Sequence, residues 1–209
     1  MSGEQWLSEH GPSALLFQLL TAHFINMDDS NEELPQLLSS EEMYAGKIIT
    51  VARDTVREGE VTYVREVVGH PGGAGIVTYF DDGTTAFVRQ YRHPVRRRVL
   101  EIPAGKLDPG ERPEQTAARE LEEELGVVAA RLEPLSAFYT TPGFCAEKLW
   151  VFLATDLRET ALGHEPDEII EVVRMPFKAA LALIPSGEIE DAKTIIGLTL
   201  AARRLGIEG

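Results

Sequence analysis

The stretch from Gly105 to Val127, Gly-Lys-Leu-Asp-Pro-Gly-Glu-Arg-Pro-Glu-Gln-Thr-Ala-Ala-Arg-Glu-Leu-Glu-Glu-Glu-Leu-Gly-Val, constrains the fold more than any other part of the chain. Pro113 at its start and Gly126 just past its end bound a helix over Pro113–Leu125, the expected asymmetry of helix termini. Glu120 and Glu124 are four residues apart and Glu120 and Glu123 three, so their carboxylates share one helix face. Like charges at that spacing cost ~0.2–0.5 kcal/mol per pair in an isolated helix. A Glu-rich helix is by itself usually a solvated face, but a divalent cation is a second reason to collect carboxylates. Hard oxygen ligands suit Mg²⁺ or Mn²⁺ rather than a metal that prefers sulfur or imidazole. Arg119 can offer a bidentate fork to Glu111, and Gly105 and Gly110 allow a tight loop before the helix.

Strand-like runs flank this helix on both sides. Alternation places strands over Ile48–Val56, Glu60–Val68, Gly75–Phe80, Thr84–Tyr91 and Val99–Ile102, then Leu132–Tyr139, Leu149–Thr155 and Ile169–Met175. Asp81-Asp82-Gly83 reads as a hairpin turn between the third and fourth of these. Two closing helices are expected over Pro176–Ile184 and Asp191–Arg204. Ahead of the strands, Leu15, Leu16, Leu19, Leu20, His23 and Phe24 give residues 12–27 one apolar helical face, followed by an acidic linker over 28–40. The fold class is α+β, an α/β/α sandwich. The chain divides into an N-terminal extension over 1–44, N-terminal strands over 45–72 and a main domain over 73–209.

Charge and cysteine content narrow the functional classes. A net charge of −14 over 209 residues argues against broad neutralisation of a nucleic-acid backbone. One cysteine, Cys145, excludes an intrachain disulfide, suits a reducing, cytoplasmic setting, and without a nearby base reads as a packed residue rather than a nucleophile. The apolar stretch 12–27 is interrupted by Gln18, His23 and Asn26, comes after acidic rather than basic residues, and is too short and polar for a membrane span or signal peptide.

The segment 105–127 resembles the Nudix box: Gly105, Glu111, Arg119, Glu120, Leu121, Glu123, Glu124, Gly126 and Val127 occupy its fixed positions. The resemblance implies a Nudix fold, with a mixed sheet between helices, and hydrolysis of a nucleoside diphosphate linked to another group. It implies Glu120 and Glu124 as direct metal ligands, Glu123 as a further or water-mediated one, and the Ala104 carbonyl in the inner sphere. Gly105, Glu111 and Arg119 would support the site, and Mg²⁺ is the implied ion, with Mn²⁺ as its substitute.

Outside the box, Val88-Arg-Gln-Tyr-Arg92, Glu101-Ile-Pro-Ala-Gly105, Thr141-Pro-Gly-Phe144 and Gly187-Glu-Ile-Glu-Asp-Ala-Lys-Thr194 are similar to the ADP-ribose pyrophosphatase branch. That likeness implies ADP-ribose and water as substrates, AMP and ribose 5-phosphate as products, and a homodimer whose early strands reach the partner's site. Arg92 is implied as a diphosphate contact, Glu101 as a substrate or loop-ordering group, and Gly143 and Phe144 as ribose contacts, with loop packing as the rival reading for Phe144. Arg65 or Tyr63 would reach the base or diphosphate across the dimer. Alternation puts Arg89 and Arg92 on opposite strand faces, and Arg96, Arg97 and Arg98 read as a solvated turn. The catalytic base is expected in Glu165-Pro-Asp-Glu168, with Glu168 ahead of Glu165 and Asp167, working beside Glu120 and Glu123. Two other readings stand: another nucleoside diphosphate sugar or an oxidised nucleotide as substrate, and a non-catalytic nucleotide sensor, against which the retained carboxylates argue.

Overall fold

The computed structural model describes residues 34–160 and 170–208. The helix expected over 12–27 and the loop carboxylates Glu165, Asp167 and Glu168 lie outside them. Among the described residues, ten strands and three α-helices run in order: β1 (Gln36–Ala45), β2 (Thr50–Glu58), β3 (Val61–Gly69), β4 (Gly73–Thr78), β5 (Thr84–Arg92), β6 (Arg97–Glu101), β7 (Ala104–Lys106), α1 (Pro113–Leu125), β8 (Val127–Tyr139), β9 (Lys148–Glu159), β10 (Ile170–Pro176), α2 (Phe177–Ala182) and α3 (Ala192–Leu205).

The strands form three sheets, ordered β1-β2-β3, β10-β5-β6 and β7-β4-β9-β8. β4 and β9 pair in parallel, which makes the four-stranded sheet mixed. Every residue of β4 is buried, because helices cover both of its faces. Ile76 packs with Ala117 and Leu121 of α1. Its neighbour Val77 packs on the opposite face with Leu198 and Ala201 of α3. Gly197 lets α3 approach this closely, since a Cβ there would stand 2.8 Å from Val77 Cγ2. The β5 strand adds Phe87 to the same core, beside Phe177 of α2 and Ile102.

Two expectations are corrected. Asp81-Asp82-Gly83 does turn, with Gly83 N donating to Phe80 O at 2.9 Å, but it joins strands of different sheets rather than a hairpin. Both edges of β4 are taken, by β7 and β9, so β5 pairs instead with β6 and β10. The acidic linker assigned to 28–40 gives way at Gln36 to β1, paired antiparallel with β2. Its Ser-Ser-Glu-Glu run carries no apolar alternation. Ladder bonds and the Arg53–Glu41 contact at 2.5 Å hold it in register instead.

Candidate active site

The carboxylate face of α1 packs against the short strand β7. Glu120 and Glu124 are only 9% and 4% exposed, unusual for mid-helix carboxylates. Glu124 Oε2 accepts the Ala104 amide at 2.9 Å. Glu120 lies across Gly105, where a Cβ would come within 1.6 Å of its Oε1, so residue 105 must lack a side chain for Glu120 to occupy this place.

Arg119 offsets the accumulated charge. Its NH1 donates to Glu120 Oε1 at 2.7 Å and to Glu123 Oε2 at 2.9 Å. Its Nε and NH2 form a fork on the two oxygens of Glu111, at 3.2 and 3.1 Å, and NH2 also reaches the Lys106 carbonyl at 3.3 Å. Glu111 accepts further bonds from Thr116 Oγ1 at 2.8 Å and from Asp108 N at 3.2 Å. Hydrogen bonding from Arg119, then from Thr116 and the Asp108 amide, holds the Glu111 carboxyl down at about 2 against desolvation. The bond to Glu111 foremost, and then those to Glu120 and Glu123, raise the Arg119 pKa.

The donor chemistry fits a hard divalent ion: three carboxylates on one helix face, the β7 backbone beside them, and neither thiolate nor imidazole among them. The described residues contain no group of three or more His, Cys, Asp or Glu side chains drawn together as a metal cage. Arg119 bridges Glu120 and Glu123 in this arrangement.

Arg92 and Glu101, read separately from the sequence, are partners. Arg92 Nε and NH2 donate to Glu101 Oε1 and Oε2, both at 2.8 Å, and Lys193 Nζ also donates to Oε2. Burial would push the Glu101 carboxyl up, but these two cations hold it below its ordinary value. The Arg92 side chain remains 42% exposed while that of Glu101 is 3% exposed, so the arginine is the partner that can also meet a ligand. Arg89 is exposed, and Arg97 pairs with Glu190 at 2.6 Å on the surface.

A cleft of about 450 Å³ opens between β3 and the turn after β8, and it brings together Arg65, Gly143 and Phe144 with Glu66 and Tyr139. Backbone bonds fasten its two walls: Val68 N donates to Phe144 O at 2.7 Å, and Ala146 N to Val68 O at 2.9 Å. The Arg65 guanidinium stacks 4.0 Å over the Tyr63 ring, whose hydroxyl donates to Glu58 Oε2 at 2.9 Å. Phe144 is 56% exposed, which disfavours the loop-packing reading. Cys145 is half-buried and bridges to Val68, as a packed residue should. Sequence reasoning missed Tyr139 and Glu66. Tyr139 closes a strand without any motif, and its proximity to β3 arises only from tertiary pairing.

The NUDIX domain model matches residues 69–196, so the chain belongs to the Nudix family. It is 42% identical over 161 residues to the ADP-ribose pyrophosphatase of Bacillus subtilis (strain 168), covering 75% of this chain and 86% of that one. It is 36% identical over 165 residues to the methanol dehydrogenase activator of Bacillus methanolicus, covering 77% of this chain and 89% of that protein. A crystal structure of an ADP compounds hydrolase shares the fold with a TM-score of 0.73 at 24% identity, over 83% of this chain and 95% of that one. No helix among the described residues is long and apolar enough to cross a membrane.

Proposed function

We propose that the protein hydrolyses the diphosphate bond of ADP-ribose to AMP and ribose 5-phosphate, using Mg²⁺ with Mn²⁺ as a substitute. The observation that carries this reading is the buried pair Glu120 and Glu124 against the β7 backbone, a carboxylate site within a family of diphosphate hydrolases. The likeness to an ADP-ribose pyrophosphatase supports the choice of substrate.

Glu120, Glu124, Glu123 and the Ala104 carbonyl would hold the ion. When bound, it supplies positive charge to the diphosphate and acidifies an attacking water. The chain's own groups do the rest. Arg92, oriented by Glu101, presents its exposed edge to the diphosphate. The cleft of Arg65, Tyr139 and Phe144 takes a ring and the sugar next to it. Glu168 accepts the proton of the attacking water; the water oxygen bonds to phosphorus, the bridging P–O bond breaks, and two phosphate monoesters leave.

The sheet of β1, β2 and β3 supports a homodimer. Leu37, Leu38, Met43, Tyr44, Ile48 and Val64 leave more than a third of their surface exposed there, and a second copy of the chain would cover them. The single cysteine and the absence of a membrane-length helix among the described residues are compatible with a cytoplasmic protein.

The test is kcat/KM across ADP-ribose, other nucleoside diphosphate sugars and oxidised nucleotides. The reading predicts ADP-ribose as the best substrate; a GDP- or UDP-linked sugar in first place would overturn the specificity while leaving the metal chemistry. E168Q should lower kcat with KM preserved, and the same behaviour in E165Q instead would move the base.

A further inference from the structure

The first turn of α3 holds two buried polar residues, Lys193 and Thr194, to which the proposed reaction assigns no role. Lys193 is 9% exposed and Thr194 fully buried. Lys193 Nζ donates to Glu101 Oε2 and, at 3.0 Å, contacts Asp191 Oδ2. Asp191 caps α3, its Oδ2 accepting from Thr194 N at 3.0 Å and from Thr194 Oγ1 at 2.5 Å. Thr194 Oγ1 in turn accepts the Ile102 amide at 2.9 Å. Adjacent residues of one helix turn therefore grip the side chain of residue 101 and the backbone of residue 102.

Immediately after Ile102 the chain turns into β7. Ala104 N bonds Glu124, and the bare Cα of Gly105 receives Glu120. Pro103 intervenes, and its carbonyl accepts the Ile76 amide at 2.9 Å, so the segment is also tied to β4. Desolvating the Lys193 ammonium is costly, and an apolar residue of similar length would pack at 193 without that cost. The ammonium contributes instead a fixed position for the Glu101 carboxylate, and through it for the turn that Glu101 begins.

We propose that Lys193 and Thr194 are positioning residues for the metal-holding turn: they clamp Glu101–Ile102 to α3 and so set where Ala104 and Gly105 meet Glu124 and Glu120. The inference rests on the reading of Glu120 and Glu124 as metal ligands. Groups that orient metal ligands from behind typically change metal affinity or activity by about 10- to 100-fold when removed.

The experiment uses the full chain with T194V, T194S, K193M and K193R. It measures Mn²⁺ binding by electron paramagnetic resonance without substrate, the Mg²⁺ concentration for half-maximal turnover, the KM for ADP-ribose at saturating Mg²⁺, and Tm. T194V and K193M should bind Mn²⁺ about 10-fold or more weakly and need correspondingly more Mg²⁺, and T194V, which leaves every contact of the Arg92–Glu101 pair in place, should keep KM within about twofold. T194S and K193R should recover most of the affinity. Variants with lowered Tm but wild-type Mn²⁺ affinity would make the two residues merely structural and overturn the proposal. So would a K193M variant whose KM rises at unchanged metal affinity, because Lys193 would then serve the Arg92–Glu101 pair or the substrate rather than the metal-holding turn. If K193M does not fold, T194V, which keeps the side-chain shape, carries the test alone. A wild-type protein that binds Mn²⁺ but cleaves no diphosphate sinks the functional reading, while the clamp is still judged from Mn²⁺ binding.

Discussion

Glu120 lies across Gly105 so closely that a methyl group on residue 105 would come within 1.6 Å of Oε1. The contact couples the glycine that opens the Nudix box to Glu120, the first of the carboxylates Glu120, Glu123 and Glu124 on its helix. G105A should therefore displace Glu120, lower stability by about 1–3 kcal/mol through overpacking and shift Tm down by several degrees. Combining G105A with E120A should lose less than the sum of the two single changes, because the clash disappears with the carboxylate. Additive losses in thermal unfolding would contradict the contact.

Glu111 predicts an acid limb in the stability profile. Its folded pKa is about 2, against an ordinary value of 4.5. A depressed carboxyl contributes stability that is fully present above its unfolded value and is lost as pH falls toward the folded one. Denaturant unfolding should show a loss between about pH 4.5 and 2, and E111Q should be less stable at neutral pH with a shallower loss over that window. An unchanged slope in E111Q would show that Arg119 does not hold this carboxylate.

The Arg92–Glu101 fork separates charge from geometry. R92K keeps a positive charge but cannot make two parallel bonds to Glu101, at 2.8 Å each in the native pair. The KM for ADP-ribose should rise about tenfold, the scale of one charge-assisted hydrogen bond. A KM unchanged by R92K would remove Arg92 from the diphosphate site.

Legibility in the sequence varies by level. The helix Pro113–Leu125 is fully legible, because Pro113, Gly126 and the apolar Ala117 and Leu121 mark its ends and its buried face. The strand β4 can be placed but not its sheet: a wholly buried strand carries no alternation to show that Ile76 faces α1 and Val77 faces α3. The Gly105–Glu120 and Arg119–Glu111 contacts arise from spacing within one motif. Lys193 with Glu101 does not, since the pair joins segments 92 residues apart. Long-range tertiary pairing likewise brings Tyr139 to the cleft. β1 escapes detection because its Ser and Glu residues lack strand propensity, and its register is set by β2.

The exposed apolar residues of β1 to β3 predict self-association. Tyr44 and Val64, which share one face of that sheet, are 56% and 54% exposed. Y44E with V64E should convert a dimer to a monomer in sedimentation velocity, by placing charge on one sheet face that needs desolvation. A wild-type protein that sediments as a monomer at micromolar concentration would contradict the dimer.

Whether the α1 carboxylates serve a metal-dependent diphosphate hydrolysis is decided by AMP release from ADP-ribose. Wild type, E120Q and E124Q would be compared with Mg²⁺ and with chelator, each variant first shown to be folded by circular dichroism. Wild-type turnover should be abolished by chelator and reduced more than about a hundredfold in both variants, beyond the usual effect of groups behind a metal ligand. Chelator-resistant turnover, or near-normal rates in both variants, would refute the metal-ligand role of Glu120 and Glu124.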